Sequence, residues 1–258
     1  LSVLIKYPKQ TKERNKKFFE KKNRELTNLD WAKWGGWDDT DGWFTVTPRL
    51  HGKTGLYLKD RQPVELFART FETSLCCRTF KTITPEPYRK EYTITVYRVD
   101  MCGKKAIWFT KNVYPYLIKQ AKKDYAAKVL GYHPESKDFT DWTPAEVINY
   151  IATALEGDGS VTVRSAKKTK YLSSQLKSSD VQYLSDVKYL LETKLGLVSK
   201  MREIITYQTQ EGIKTKYELR IDCSRQNPEN LGFFQSLAKD GVMTLDRKKQ
   251  KVQEFINQ

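Results

Sequence analysis

Two nine-residue stretches of this chain share one construction: Trp34-Gly-Gly-Trp-Asp-Asp-Thr-Asp-Gly42 and Ile151-Ala-Thr-Ala-Leu-Glu-Gly-Asp-Gly159. Each is an apolar, small-residue run that ends in an acid, one further residue, an aspartate and a glycine. Each therefore predicts a helix whose C-terminus delivers one carboxylate, Asp41 or Asp158, to a fixed place. The flanks keep the same register. Thr27 with Asp30 and Thr143 with Glu146 both read as a helix N-cap with its acidic partner three residues on, and Pro144 stands at the preferred first helical position. From cap to carboxylate is 14 positions in one copy and 15 in the other, and from acid to the next strand-end lysine, Lys59 or Lys177, is 18 and 19. The chain reads as a duplicated unit.

Hydrophobic periodicity divides it into a basic, helix-prone arm (1–26), a first half (27–130), a polar proline-bearing linker (131–142) and a second half (143–258). In the first half the pattern predicts helices at 28–40, 62–72 and 112–130, with strands at 43–49, 54–59, 76–84 and 91–110, the last pair interrupted. The second repeats the order, with helices at 144–157, 180–195, 227–239 and 246–257 and strands at 160–165, 169–177, 198–209 and 214–223. Each half is α+β, in the order α-β-β-α-β-β-α, rather than a parallel βαβ fold.

The 46 Lys and Arg against 31 Asp and Glu leave a net charge of +15. Such an excess attracts a polyanion over a whole face, and nucleic acid is the first candidate. A basic membrane-surface protein is the weaker rival, because no basic helix carries a continuous apolar face. No apolar run approaches the ~18 residues of a membrane span, and the opening Leu1-Ser-Val-Leu-Ile-Lys6 is too short for a secretory signal. Cys76, Cys77, Cys102 and Cys223 lack C-x-x-C spacing, and His51 and His133 are the only histidines. A structural zinc site is disfavoured; buried free thiols in an intracellular, reducing compartment are expected.

The strands carry candidate contacts. In 214–223, Tyr217, Leu219, Ile221 and Cys223 alternate with Lys216, Glu218, Arg220 and Asp222, which period-two geometry sends to opposite faces. Likewise Leu172 and Leu176 oppose Tyr171, Ser173, Gln175 and Lys177. Exposed strand faces of this kind suit the major groove, where such side chains match base donors and acceptors; an ordinary solvated sheet face is the alternative. The DNA-contact candidates are these four residues with Lys200, Arg202, Lys214, Lys216 and Arg220, and in the first half Arg49, Lys59 and Arg78.

Glycines inside a helix cost ~1 kcal/mol each relative to alanine, so Gly35-Gly36, in line with Leu29 and Ala32, predicts a close packing partner. Ala152 and Thr153 are small at matching positions of the other copy. Side-by-side packing of the two helices would bring Asp41 and Asp158 out together, the arrangement required for metal-assisted phosphodiester hydrolysis with hard oxygen ligands. Asp39 and Glu156 are expected to hold the helix junctions by accepting backbone hydrogen bonds. A calcium EF-hand fails on spacing, since Trp37 and Ala154 would fall at the first ligand position.

With these motifs the chain resembles the LAGLIDADG homing endonucleases in their single-chain, two-motif form, over roughly residues 27–257. The resemblance implies a pseudo-twofold molecule with motif helices at the interface and two four-stranded antiparallel sheets forming a saddle over a long, near-palindromic double-stranded DNA site. It further implies a monomer in which Asp41 and Asp158 bind Mg²⁺ (or Mn²⁺, with Ca²⁺ as a non-cleaving substitute), the adjoining Gly42 and Gly159 belonging to the metal site. The family's basic residue after the fourth strand maps to Lys119, with Lys122 in reserve, and in the second half to Lys248 or Lys249. Its glutamine before the strand-end lysine is displaced: Leu58 and Leu176 stand there, with Gln175 adjacent. Site-specific DNA cleavage is the favoured function; an RNA maturase and a noncatalytic DNA-binding regulator on the same fold are the alternatives.

Overall fold

A computed structural model describes residues 12–48, 51–83, 91–166, 169–209, 212–224, 228 and 230–257. After helix α1 (Lys12–Glu25), the first unit runs α2 (Asn28–Thr40), β1 (Gly42–Val46), β2 (Gly52–Leu58), α3 (Arg61–Thr70), β3 (Leu75–Ile83), β4 (Glu91–Cys102), α4 (Lys104–Val113) and α5 (Gln120–Leu130). The second runs α6 (Pro144–Glu156), β5 (Gly159–Ala166), β6 (Thr169–Ser178), α7 (Val181–Leu195), β7 (Lys200–Thr209), β8 (Gly212–Ser224), α8 (Leu231–Ala238) and α9 (Asp246–Ile256). The strands form two antiparallel four-stranded sheets of identical connectivity, β1-β2-β4-β3 and β5-β6-β8-β7.

Both motif helices start where the sequence places them. At Thr27 and at Thr143 a complete capping box forms, the threonine hydroxyl accepting from the amide three residues on while that residue's carboxylate accepts from the cap amide. The two boxes fix where α2 and α6 begin and hence where Asp41 and Asp158 emerge.

The expected strand at 91–110 ends at Cys102, because Gly103 adopts φ +59° and the chain turns into α4. The apolar residues beyond it, Ala106, Phe109, Thr110 and Val113, recur at helical spacing and are buried. The single helix expected at 112–130 is likewise split: Pro115 has no amide hydrogen to continue α4, a short 3₁₀ turn covers Tyr114–Tyr116, and α5 starts afresh at Gln120.

One continuous core spans both units. In the first it is aromatic: Trp31 and Trp34 pack on Phe67, Phe71 and Phe109 at ring separations of 5.2–6.1 Å. Leu29, expected on this face, is exposed instead, since the larger indoles fill the inward positions. Residues 131–142 end in Trp142, 2% exposed, which stacks edge-on against Tyr116 of the first unit and Tyr150 of the second. Among the cysteines, all free, only Cys223 is buried and Cys102 is exposed, contrary to the expectation of uniformly buried thiols. No helix among the described residues is long and apolar enough to cross a membrane.

Candidate active site

Helices α2 and α6 pack side by side along their small residues. Gly36 faces α6 so closely that a Cβ there would lie 2.2 Å from the Tyr150 carbonyl oxygen and 2.3 Å from Thr153 Oγ1. The Thr153 hydroxyl donates to the Lys33 carbonyl across the seam at 2.8 Å. Ala152 is fully buried. Gly35 departs from expectation: its free side faces Tyr116 of its own unit, 2.6 Å from a notional Cβ to the carbonyl oxygen. The reason is angular, since adjacent helical residues point about 100° apart and only one of the pair can face α6.

This packing brings the two helix ends together. Asp41 is the C-cap of α2, and its Oδ2 lies 2.4 Å from where a Cβ on Gly157 would stand, so the residue before Asp158 touches the Asp41 carboxylate only because it is glycine. Asp41 Oδ2 is buried without a hydrogen-bond partner. Burial first, and then the charge of Asp158, raise the Asp41 carboxyl to about 6. Two mutually repelling carboxylates, one with an unsatisfied oxygen, are a donor set that a hard divalent cation would satisfy. Among the described residues no group of three or more His, Cys, Asp or Glu could hold a metal.

Asp39 and Glu156 hold the junctions. Asp39 accepts from the Ile118 amide at 2.6 Å, the Lys119 amide at 3.2 Å and the Tyr150 hydroxyl at 2.5 Å. Glu156 Oε1 accepts from the Thr244 and Leu245 amides, both at 2.5 Å. Each acid therefore pins the chain that enters the last helix of its unit, α5 or α9.

Lys248, Lys122, Lys249, Gly42 and Gly159 each have a structural partner that the sequence reading did not foresee. The Lys248 ammonium is buried and donates to the carbonyls of Leu155 (2.7 Å), Glu156 (2.6 Å) and Gly159 (3.0 Å), so it caps the C-terminus of α6. Burial lowers it to about 8. Lys122 makes the last of these three contacts in the first unit, donating to the Gly42 carbonyl at the start of β1. The carbonyls of Gly42 and Gly159 thus each accept from a lysine, and these glycines serve the sharp exit from helix to strand: a Cβ would meet Asp38 Oδ1 at 2.1 Å or Leu155 Cα at 2.6 Å. Lys119, by contrast, reaches the acids, with Nζ 3.3 Å from Asp158 Oδ2. Lys249, the second-half alternative, pairs instead with Asp240 at 2.5 Å.

Residues 145–227 match the LAGLIDADG-like domain family. Two solved structures share the fold over nearly the whole chain. One, a LAGLIDADG meganuclease (I-AabMI) bound to uncleaved DNA, is 13% identical with a TM-score of 0.52 and 90% of each chain covered. The other, the homing endonuclease I-WcaI bound to its DNA recognition sequence, is 14% identical with a TM-score of 0.51, covering 96% of this chain and 95% of that one. The family match thus falls within the second unit, and the fold over both units is the one these two structures share. A comparison with curated proteins finds no match.

Both sheets carry exposed side chains. A cleft of about 490 Å³ beside Asp41 is bounded by Tyr57, Phe80 and Ile94 of the first sheet, by Lys59 just past β2, by Ser160 and Thr162 of β5, and by Arg247, Lys248 and Lys251 of α9. On the second sheet Lys177, Lys200, Arg202 and Lys216 are exposed and Tyr171 and Arg220 half-buried; Lys214 faces Tyr207 in the β7–β8 register, and Arg78 is exposed on β3. Arg49 lies outside the described residues.

Ser173, Gln175 and Glu218, expected at the surface, are 0%, 3% and 2% exposed. They point away from the core but lie beneath longer neighbours. Arg202 and Lys177 converge on Glu218 at 3.0 and 3.8 Å, Arg220 reaches Ser173 at 3.2 Å and Asp222 at 2.8 Å, and the Gln175 amide sits between Arg164 and Glu218. Period two gives the face and not the height of the side chains around it, so a short residue flanked by arginines reads as exposed in sequence.

Sequence reasoning passed over Asp38. Fully buried, it has neither carboxylate oxygen hydrogen-bonded, and burial pushes its carboxyl well above the usual range. Its counterpart in the second motif is Leu155, and that mismatch was the available signal.

Proposed function

We propose that this chain is a LAGLIDADG-type, site-specific DNA endonuclease that makes a metal-dependent double-strand break in a long, near-palindromic target. The observation that carries this reading is the convergence of Asp41 and Asp158 at adjoining helix ends, with Gly157 against the Asp41 carboxylate. A DNA-binding regulator or an RNA maturase has no need of two acids held against their mutual repulsion. Support also comes from the two relatives, both described as bound to DNA, and from the basic second sheet. The chain would act as a monomer, since both halves of the site lie in one polypeptide.

Asp41 and Asp158 would hold Mg²⁺, or Mn²⁺ in its place, with Ca²⁺ binding without cleavage. When bound, such an ion activates water and stabilises the leaving 3′ oxygen. The protein's own residues do the rest. Lys248 locks the end of α6 and Lys122 the glycine after Asp41, so that the acids keep their places, and Asp39 and Glu156 fix the chain that carries Lys119 and Lys248. The Lys119 ammonium, beside Asp158, offers positive charge where a phosphate would gain negative charge. Lys177, Lys200, Arg202, Lys216 and Arg220, with Lys59 and Arg78, contact phosphates and major-groove base edges. We propose the division at 27–130 and 143–258 as the two half-site modules.

The test is incubation with a randomised duplex library, with Mg²⁺ and with EDTA, beside an Asp41→Asn, Asp158→Asn double variant. Cleavage at a defined sequence by the parent, and retained binding without cleavage by the variant, are expected. Binding by both with no cleavage by either would leave a regulator, and selective processing of RNA would leave a maturase.

A further inference from the structure

Each sheet holds one arginine on its outward face in the same way. Val99 and Met101 of β4 and Leu219 and Ile221 of β8 are buried in the core, so Arg98 with Asp100 and Arg220 with Asp222 point the other way. Arg98 Nε donates to Asp100 Oδ1 at 2.6 Å, and its guanidinium lies 5.2 Å from the centre of the Trp43 ring. Arg220 Nε donates to Asp222 Oδ1 at 2.8 Å and to Ser173 Oγ at 3.2 Å, with the centre of the Tyr171 ring 5.9 Å away. A carboxylate and an aromatic ring therefore orient each guanidinium before any ligand arrives. Arg202 and Arg247 are held differently, each with Nε and Nη2 together on one carboxylate, Glu218 or Asp60. The two buttressed arginines also stand at different depths. Gly42, next to Asp41, pairs with Leu56, and Arg98 pairs with Tyr57, one residue nearer the Asp41 end of β2. Gly159 pairs with Leu176, and Arg220 with Gln175, one residue farther from Asp158.

We propose that Arg98 and Arg220 each read a guanine, one in each half of the target, and that the guanine read by Arg220 lies farther from the centre. This rests on the duplex-DNA reading above. With Nε engaged by the neighbouring carboxylate, the Nη1–Nη2 fork is the pair of donors that matches guanine O6 and N7 in the major groove; no other base offers two acceptors side by side there. Orientation separates these two arginines from the long basic side chains around them, since a cation free to rotate meets a phosphate as readily as a base edge. The two-residue difference in depth amounts to ~6–7 Å along a strand, about two steps of the ~3.4 Å spacing between bases. Asp100 and Asp222 are positioning residues: they act on the base through the arginine each one holds.

The experiment recovers the preferred duplex from the library by binding in EDTA, then replaces its guanines one at a time with 7-deazaguanine, which lacks the N7 acceptor. Distances are counted from the centre of the near-palindrome. One replacement in each half should weaken binding by the parent about tenfold. Arg98→Ala should be indifferent to the inner replacement and still sensitive to the outer one, and Arg220→Ala the reverse. Arg98→Gln should move the preference at its position from guanine to adenine, whose N6 and N7 a carboxamide matches. Asp100→Ala should lower discrimination at the Arg98 position alone while nonspecific affinity rises, because a negative charge leaves that face; an aspartate with a merely structural role would weaken binding at every position. Sensitivity to 7-deazaguanine that survives both arginine variants, or an Arg220-dependent guanine no farther out than the Arg98-dependent one, overturns the proposal while DNA binding stands. A parent that binds no library duplex overturns the duplex-DNA reading as well.

Discussion

The Tyr150 hydroxyl of the second motif helix donates to the Asp39 carboxylate of the first, 2.5 Å away and wholly buried. It is one of three donors on that carboxylate, and burial still raises Asp39 to about 6. Tyr150→Phe should cost about 1.5–3 kcal/mol at pH 7, the range for a hydrogen bond to a charged group. Because the bond favours the ionised acid, the loss should shrink as pH falls through 6 and Asp39 is protonated. Urea denaturation at pH 7.5 and pH 5 checks it; an equal loss at both values contradicts it.

Asp41 holds its carboxylate charged at a cost in stability. Its folded-state pKa of about 6 lies above the unfolded value of 3.8, so the folded form binds the extra proton between those values. Stability from this group is present at low pH and lost as pH rises through 6. Asp41→Asn should therefore raise stability at pH 7.5 by about 1–2 kcal/mol, after discounting its partial exposure, and by almost nothing at pH 4. Thermal melts at the two pH values measure it, and the same variant should lose cleavage.

Gly36 and Gly232 make a matched pair of helical glycines. A Cβ on Gly36 would sit 2.2 Å from a backbone oxygen of α6, whereas one on Gly232 meets nothing within 4 Å. Gly36→Ala should destabilise by about 2–3 kcal/mol through overpacking, and Gly232→Ala should leave stability unchanged or raise it by up to about 1 kcal/mol. Chemical denaturation of the two variants distinguishes a packed seam from an ordinary helix preference.

The second sheet predicts the salt response of DNA binding. Lys177→Ala and Arg202→Ala each remove an exposed cation, and each should lower the slope of log affinity against log salt by about one if that cation meets a phosphate. Each also strips a partner from the buried Glu218. The double variant should therefore lose stability as well as affinity, and Glu218→Gln should recover the stability alone. Titrations at several salt concentrations, with melts alongside, separate the two effects.

The architecture was legible because it is written in short-range chemistry. The capping threonines, the acid-x-Asp-Gly endings and period-two strands such as 214–223 all survive in three dimensions. What failed depended on distance or height. Gly35 and Gly36 look alike in sequence, and only the helix rotation decides which one meets α6. Lys248 looked like a site lysine because it follows the last strand pair, yet three carbonyls at the end of α6 claim it. The interrupted strand segment read at 91–110 reached too far, because Gly103 at φ +59° ends β4 and the apolar residues after it belong to α4.

Trp142 gives the connecting segment a second character. Its indole is wedged between Tyr116 and Tyr150, one ring from each unit, so the tether between the halves is also part of the wall they share. Pulling the tether tight would drag that wedge out of the seam, whereas extra length ahead of it, around 132–137, would leave the wedge seated. Evolution could lengthen this joint freely and shorten it only by rebuilding the interior.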